Sequence, residues 1–255
     1  MKALVLTYDK YRPLTDHMIH MYRKLWPDNP FNFRIPYQEL AGNNEHNREY
    51  ISCPADIKGT VLCLLSDLDD DEWVYWCIDD KYPVQLDVPG IRSIMEWIRA
   101  VDDTSVSGVL CCRPGKLMKQ KRLTNEVMQL QNGTRLLGRI NYKSIWIHQF
   151  LQVKVLRHLF KSFPDVIPDA KTMDHLKNWI EKPTDQRLFV TDHSLAIYGE
   201  STLRGVLTQN CYQSLLDSGL TIPKWHTGEI ERECILGNPP ERVRTPWRRL
   251  FSNRS

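Results

Sequence analysis

The sequence predicts an α/β fold, a single domain in which a mostly parallel central sheet is flanked by helices. Short apolar runs alternate with amphipathic segments as far as residue 112, a pattern typical of strand–helix–strand units. Four of the runs predict strands, at residues 2–7, 31–37, 73–78 and 106–112. With 255 residues, 42% of them hydrophobic and 25% charged, the chain has an ordinary globular composition.

The segments between these strands predict helices, because their apolar residues recur at three- and four-residue spacing. These helices cover residues 13–26, 55–68 and 88–101. The polar segment 40–54 predicts a surface loop instead.

The pattern changes after residue 112. Asn132 and Gly133 form a strong turn signal, so residues 125–140 predict a hairpin. Beyond it we expect four elements: a strand running into a helix at 144–164, a helix at 169–182, a strand within 187–201, and a helix at 205–219. The chain therefore divides into a first half (1–112), a second half of the same domain (113–238) and a basic tail (239–255).

Charge is unevenly placed along the chain. The net charge is +3, but the tail holds five arginines and one glutamate, so the remainder is close to neutral. A neutral body argues against nucleic acid as a partner. The N-terminal apolar run, Ala3 to Leu6, is shorter than a signal-peptide core, and we expect a cytoplasmic protein. The seven cysteines form no CxxC pair, which predicts reduced thiols rather than a zinc site.

The basic tail predicts a second property. Trp247, Leu250 and Phe251 recur at helical spacing beside arginines, an arrangement that can lie in a membrane interface. Reversible peripheral contact with an anionic membrane is one interpretation. A tail with solvated arginines, or one that packs back on the domain, is the other.

The stretch "WVYWCIDDKYPV" places two carboxylates, Asp79 and Asp80, directly after the third predicted strand. Ligands of open α/β sheets bind outside the carboxyl ends of the strands. Adjacent carboxylates repel each other unless a cation joins them, and a divalent cation there would also grip a diphosphate. The alternative is a solvated turn.

The first hundred residues resemble bacterial glycosyltransferases of the GT-A fold, of the capsular and lipopolysaccharide type. The resemblance lies in "LVLTYDKYRPLTDHMIHMYRKLWPDNP" followed by "WVYWCIDDKYPV", where such enzymes carry an Asp-containing motif at the end of a central strand. It implies a nucleotide-diphosphate sugar as donor, a divalent metal (Mn or Mg) and a saccharide or lipid-linked acceptor. Thr7, Tyr8 and Asp9 would then meet the nucleoside. Asp79 would lie near the ribose or the metal, and Asp80 on the metal.

The second half offers candidates for the remaining roles. An inverting transferase needs a general base, and Asp174 and Glu181, seven residues apart on one predicted helical face, are candidates. A retaining enzyme would need no such base. His193 is a candidate third metal ligand. Trp146, His148 and Gln149 are candidates for an acceptor site.

Two other classes remain open. Nucleotidyltransferases also use paired aspartates on an α/β sheet, although they usually carry a glycine-rich loop near the first strand, and "TYDKYRP" has no glycine. A non-catalytic protein that binds a nucleotide or a sugar on the same scaffold is the third hypothesis.

Overall fold

A computed structural model describes residues 1–44, 47–114, 123–167, 169–230 and 235–237. The strands are β1 Lys2–Leu6, β2 Asn32–Tyr37, β3 Arg48–Ser52, β4 Trp73–Ile78, β5 Lys81–Leu86, β6 Val106–Leu110, β7 Leu123–Gln129, β8 Arg135–Arg139, β9 Gln149–Gln152, β10 Arg187–Thr191, β11 Ala196–Glu200, β12 Thr202–Leu203, β13 Val206–Thr208, β14 Glu229–Ile230 and β15 Ile235–Leu236. The helices are α1 Arg12–Leu25, α2 Ile57–Leu64, α3 Val88–Ala100, α4 Val153–Ser162, α5 Ala170–Leu176 and α6 Gln209–Asp217. The basic tail, and the membrane contact predicted for it, lie outside the described residues.

The largest sheet has the strand order β3-β2-β1-β4-β9-β6-β10-β8-β7. All four strands predicted in the first half, now β1, β2, β4 and β6, lie in this sheet, so that prediction is confirmed. The strands β3, β2, β1 and β4 are parallel neighbours. The predicted hairpin is also confirmed as β7 and β8, with Gly133 at φ 85° in its turn.

Two strands depart from the prediction. β3 falls within the segment 40–54, where a surface loop was expected. It is an edge strand whose residues Arg48–Ile51 are only half-buried, so it carries no apolar run that would reveal it. β9 runs antiparallel between β4 and β6, which makes the sheet mixed beyond its parallel edge.

Helices cover both faces of the sheet. They are needed there because successive residues of a strand point to opposite faces, and buried apolar residues occur on both. On β1, Ala3 and Val5 belong to one apolar core, which α1 and α3 complete. Leu4 and Leu6 point the other way, into a second core shared with α2, α4 and α5. The single-domain α/β arrangement predicted from the sequence is therefore confirmed.

Two small sheets extend the domain beyond the carboxyl end of β4. One has the order β15-β11-β5, and the other has the order β12-β13-β14. β5 follows β4 after a turn of two residues, so the chain leaves the large sheet at Asp79 and Asp80 and enters the small one at Lys81.

Two further features of the described part of the chain concern its cysteines and the length of its helices. The six cysteines that it contains are free thiols, and five of them are buried. No described helix combines the length and the apolar character needed to cross a bilayer.

Candidate functional site

The carboxyl ends of β1 and β4 meet at Thr7 and Asp79. Leu6 and Ile78 are partners in the parallel ladder, so the next residue of each strand emerges at the same edge of the sheet. The hydroxyl of Thr7 donates a hydrogen bond to Oδ2 of Asp79 over 2.6 Å. Thr15, from the first turns of α1, donates in turn to Thr7 over 2.8 Å. A hydroxyl chain thus fixes the first of the two aspartates.

The carboxyl group of Asp79 lies in an unfavourable place for a negative charge. Asp79 is only 8% exposed. Burial, and to a lesser extent the neighbouring charge of Asp80, raise the pKa of Asp79 to about 8, against the hydrogen bond from Thr7. A cation beside this carboxyl would relieve both effects.

The second aspartate faces outward and is paired with a lysine. The side chain of Asp80 is 41% exposed, whereas that of Lys81 is 8% exposed. Nζ of Lys81 lies 2.8 Å from Oδ1 of Asp80 and 4.0 Å from Oε1 of Glu200. Glu200 is the ladder partner of Lys81 on β11, so the small sheet delivers both the ammonium and a third carboxylate to the turn.

Backbone contacts hold the turn in place. The N–H of Ser201 donates to the carbonyl of Asp80 over 2.6 Å, and its hydroxyl donates to the carbonyl of Asp79 over 3.3 Å. The N–H of Asp79 donates to the carbonyl of Leu6 over 3.2 Å. The double aspartate is therefore anchored by β1 on one side and by the end of β11 on the other.

A cavity of about 430 Å³ opens beside the end of β1. Tyr8 lines this cavity on one side, and residues 55–58, which lead into α2, line it as well. Further lining residues come from the loop before α5, including Val166, and from α5 itself, including Met173. Asp56 caps α2 by accepting the N–H of Gly59 over 2.6 Å. Burial raises the pKa of Tyr8, and the charges of Asp56 and Asp79 raise it further, so its hydroxyl stays protonated. The volume lies within the ordinary range of ligand sites.

Asp9 has a different set of partners. Its Oδ2 accepts the backbone N–H groups of Gln38, Glu39 and Leu40 over 2.7 to 3.1 Å, and Arg12 donates to its Oδ1. Burial alone would raise the pKa of Asp9, but these hydrogen bonds outweigh it and lower the pKa. Asp9 thus fastens the chain after β2 to the end of β1. Its contact with a nucleoside stays a prediction.

The two candidate bases do not share a helical face, contrary to the sequence-based expectation. The helix α5 ends at Leu176, and Glu181 lies beyond it in an exposed, irregular segment. The helix stops because Lys177 Nζ and Asn178 Nδ2 both donate to the carbonyl of Asp174, which a continuing helix would use itself. Asp174 is exposed, forms an ion pair with Lys177, and follows Met173, which lines the cavity.

His193 is paired elsewhere. Its Nδ1 lies 2.8 Å from Oδ1 of Asp192, after β10. Across the described ranges, no three His, Cys, Asp or Glu side chains are grouped as metal ligands, so His193 is not brought to the two aspartates. A set built from Asp79 and Asp80 alone still fits a hard divalent cation, because both supply carboxylate oxygen and Asp79 is buried with an unfavourable charge.

Behind the turn lies a buried chain of three tyrosines and a histidine. Tyr198, Tyr75 and Tyr22 are joined through their hydroxyls over 2.8 and 2.9 Å, and Tyr22 lies 2.8 Å from Nδ1 of His148. Nε2 of His148 lies 2.9 Å from the carbonyl of Ile78. His148 and Gln149 are fully buried, so neither lines an acceptor site, contrary to the expectation for this segment.

Four residues around the double aspartate were not predicted from the sequence: Thr15, Lys81, Glu200 and Ser201. Thr15 lies on a helix face that reads as core. Glu200 and Ser201 reach the turn only through the antiparallel pairing of β5 with β11, which no local pattern encodes. Lys81 alone was adjacent to the motif, and its charge next to two aspartates was the available signal.

No family model and no curated protein matches the sequence. The chain has partial likeness to several solved structures, three of which are described next. A galactosyltransferase, LgtC, in complex with donor and acceptor sugar analogues has 12% identity and a TM-score of 0.37 over 73% of this chain and 68% of that chain. An active-site mutant of LgtC has 11% identity and a TM-score of 0.40 over 88% of this chain and 98% of its own. The 2-C-methyl-D-erythritol 4-phosphate cytidylyltransferase of Francisella tularensis has 12% identity and a TM-score of 0.37, over 75% and 90%. Likeness this weak does not decide the activity of this chain.

Proposed function

We propose that this protein is a glycosyltransferase that moves a sugar from a nucleotide-diphosphate sugar to a saccharide or lipid-linked acceptor. The observation that carries the proposal is the junction of Thr7 and Asp79 at the carboxyl ends of two parallel strands, beside a cavity that Tyr8 lines. A nucleoside in that cavity would leave its diphosphate at the double aspartate, where ligands of open α/β sheets bind.

A divalent cation, Mn or Mg, belongs to this proposal. Asp79 and Asp80 would hold it, and the diphosphate would supply further oxygen ligands. When bound, the cation acts as a Lewis acid that neutralises the departing diphosphate. The ammonium of Lys81, which is paired with Asp80, would then lie near the negative charge that develops on the leaving group.

The acceptor side is assigned to the segment that contains α5. If the enzyme inverts, Asp174 is the favoured base and Glu181 the second candidate, because Asp174 lies next to a residue that lines the cavity. Both carboxylates are exposed and accessible to an acceptor hydroxyl. A lipid-linked acceptor would agree with the membrane contact proposed for the basic tail.

The experiment is a binding and turnover panel on the full chain. UDP, GDP, CDP and ADP are titrated calorimetrically with manganese and again with EDTA, and the matching nucleotide sugars are assayed for release of nucleoside diphosphate. Manganese-dependent binding of one diphosphate, with turnover of its sugar, supports the proposal. Release of pyrophosphate from a nucleoside triphosphate would identify a nucleotidyltransferase instead. Absence of any nucleotide binding would leave a non-catalytic scaffold.

A further inference from the structure

Two cysteine thiols that flank residues 55–58 in the sequence lie close together. Sγ of Cys53 lies 2.6 Å from Sγ of Cys63, although ten residues separate them. Cys53 follows β3, and Cys63 lies in the second half of α2. A disulfide bond is about 2.0 Å long, so a displacement of about 0.6 Å would bring the two sulfur atoms to bonding distance.

The two thiols differ in access. Cys53 is buried, whereas Cys63 is half-buried and its thiol also lies 3.3 Å from the carbonyl of Ser52 near the surface. A small oxidant can therefore reach Cys63 first, and the sheltered Cys53 is in place to attack it. This is the arrangement of an accessible thiol with an adjacent resolving thiol.

We propose that Cys53 and Cys63 form an oxidisable dithiol that closes to an intramolecular disulfide. A low-molecular-weight disulfide, such as oxidised glutathione, accepts the two electrons. The Cys63 thiolate attacks it and releases one reduced thiol. The Cys53 thiol, whose pKa is raised by burial, then loses its proton as it attacks Sγ of Cys63 and releases the second. The two thiol protons end on the released thiols, so one oxidant disulfide is consumed for each protein disulfide.

The disulfide would brace the wall of the cavity. Residues 55–58, between the two cysteines, line the cavity opposite α5. Closing a loop of this length restricts the unfolded chain, and for a domain of this size we expect a rise in melting temperature of about 5 °C.

Mass spectrometry of the full chain tests the disulfide itself. The folded protein is incubated with oxidised glutathione, alkylated, denatured and cut with trypsin. Because Lys58 lies between the cysteines, cleavage yields separate peptides 49–58 and 59–81. We expect them to remain joined until dithiothreitol is added. Cys63→Ser should abolish the joined pair, and Cys211→Ser, at a buried thiol elsewhere, should leave it unchanged.

The outcomes separate the dithiol from the proposed function. The dithiol is wrong if peptides 49–58 and 59–81 are never joined, or if they stay joined in Cys63→Ser, since Cys77 in the second peptide would then be the partner. A joined pair without a rise in melting temperature would reject the bracing of the wall. A joined pair in a chain that binds no nucleotide would support the dithiol and reject the glycosyltransferase.

Discussion

The hydroxyl of Tyr22 donates a hydrogen bond to Nδ1 of His148 over 2.8 Å. The direction follows from the other ring nitrogen: Nε2 faces the carbonyl of Ile78, which only accepts, so Nε2 carries the proton and Nδ1 is the acceptor. The neutral imidazole therefore connects α1 to the residue that precedes Asp79. A proton added to Nδ1 would make it a donor, so the Tyr22 hydroxyl would have to accept from it instead, and a charge would be buried.

The first prediction concerns acid stability. Burial lowers the pKa of His148 to about 3, whereas an unfolded histidine titrates near 6.5. Between these values the unfolded chain binds a proton that the folded chain does not. The contribution of His148 to stability is therefore complete above pH 6.5 and falls below it, by up to about 1.4 kcal/mol per pH unit.

Urea unfolding between pH 8 and pH 5 measures this effect. The matched variant is His148→Gln, whose amide can donate to Ile78 and accept from Tyr22 without titrating. We expect the free energy of unfolding to fall less steeply with acid in the variant than in the wild type. Parallel pH profiles for the two proteins would contradict the assignment.

The second prediction concerns Thr7. Replacing Thr7 by Val keeps the shape but removes the donor to Asp79 and the acceptor of Thr15. Because both groups are buried, the free energy of unfolding should fall by about 1–3 kcal/mol. Thr7→Ser keeps the hydroxyl and should recover most of that loss in urea unfolding at pH 7. Equal stability of the Val and Ser variants would show that the hydroxyl chain does not hold the turn.

The third prediction concerns Asp80. Asp80→Asn should lower the rate of sugar transfer by at least about a hundredfold, because a ligand of the proposed cation is lost. The melting temperature should move little, since loss of the Lys81 pair is offset by relief of repulsion on Asp79. Asp69→Asn, in the turn before β4, is the control and should keep full activity. Activity of Asp80→Asn equal to wild type, or insensitivity of the wild type to EDTA, would reject the metal role.

The fourth prediction concerns the base. Asp174→Asn should lower the turnover rate by about a hundredfold or more and leave the donor affinity unchanged, as expected for a general base. Glu181→Gln should have the smaller effect. Glu96→Gln, an exposed carboxylate on α3, is the control. Wild-type rates in both the Asp174 and Glu181 variants would place the base elsewhere or indicate a retaining enzyme.

The fifth prediction concerns the basic tail. The full chain should sediment with anionic vesicles at low salt and dissociate at high salt, because each basic residue near such a surface contributes roughly 1 kcal/mol. A chain lacking residues 240–255 should stay in the supernatant. Equal sedimentation of the two chains would locate the contact outside the tail, and no sedimentation at low salt would reject it.

The elements that the sequence predicts are those whose residues meet the core with a regular period. β1, β4 and β6 are mostly apolar runs, and α1 and α3 have one clear apolar face, so each was found close to its true position. β3 was missed because an edge strand needs no apolar run. The antiparallel direction of β9 was missed because it depends on partners about forty or more residues away.

The candidate site likewise has a part that the sequence predicts and a part that it does not. Asp79 and Asp80 were found because a strand end is visible in the sequence. Their environment was not, since Thr15 and Glu200 arrive from α1 and β11 through long-range packing. The prediction that Asp174 and Glu181 share a helical face is wrong for a local reason. The side chains of Lys177 and Asn178 donate to the carbonyl of Asp174, which a continuing helix would need for its own backbone hydrogen bond.

The position of β9 has a consequence for the order in which the chain acquires structure. In the large sheet, β6 has only β9 and β10 as neighbours, and both follow it in the sequence. A nascent chain that has emerged from the ribosome as far as residue 112 would contain β6 but neither of the strands that pair with it. β9 joins β4 to β6, so these two strands can become part of one sheet only after residue 152 has been synthesised. Contacts between such distant segments form slowly. Until then β4 has an unpaired edge, and an unpaired strand edge is a site at which nascent chains can associate wrongly.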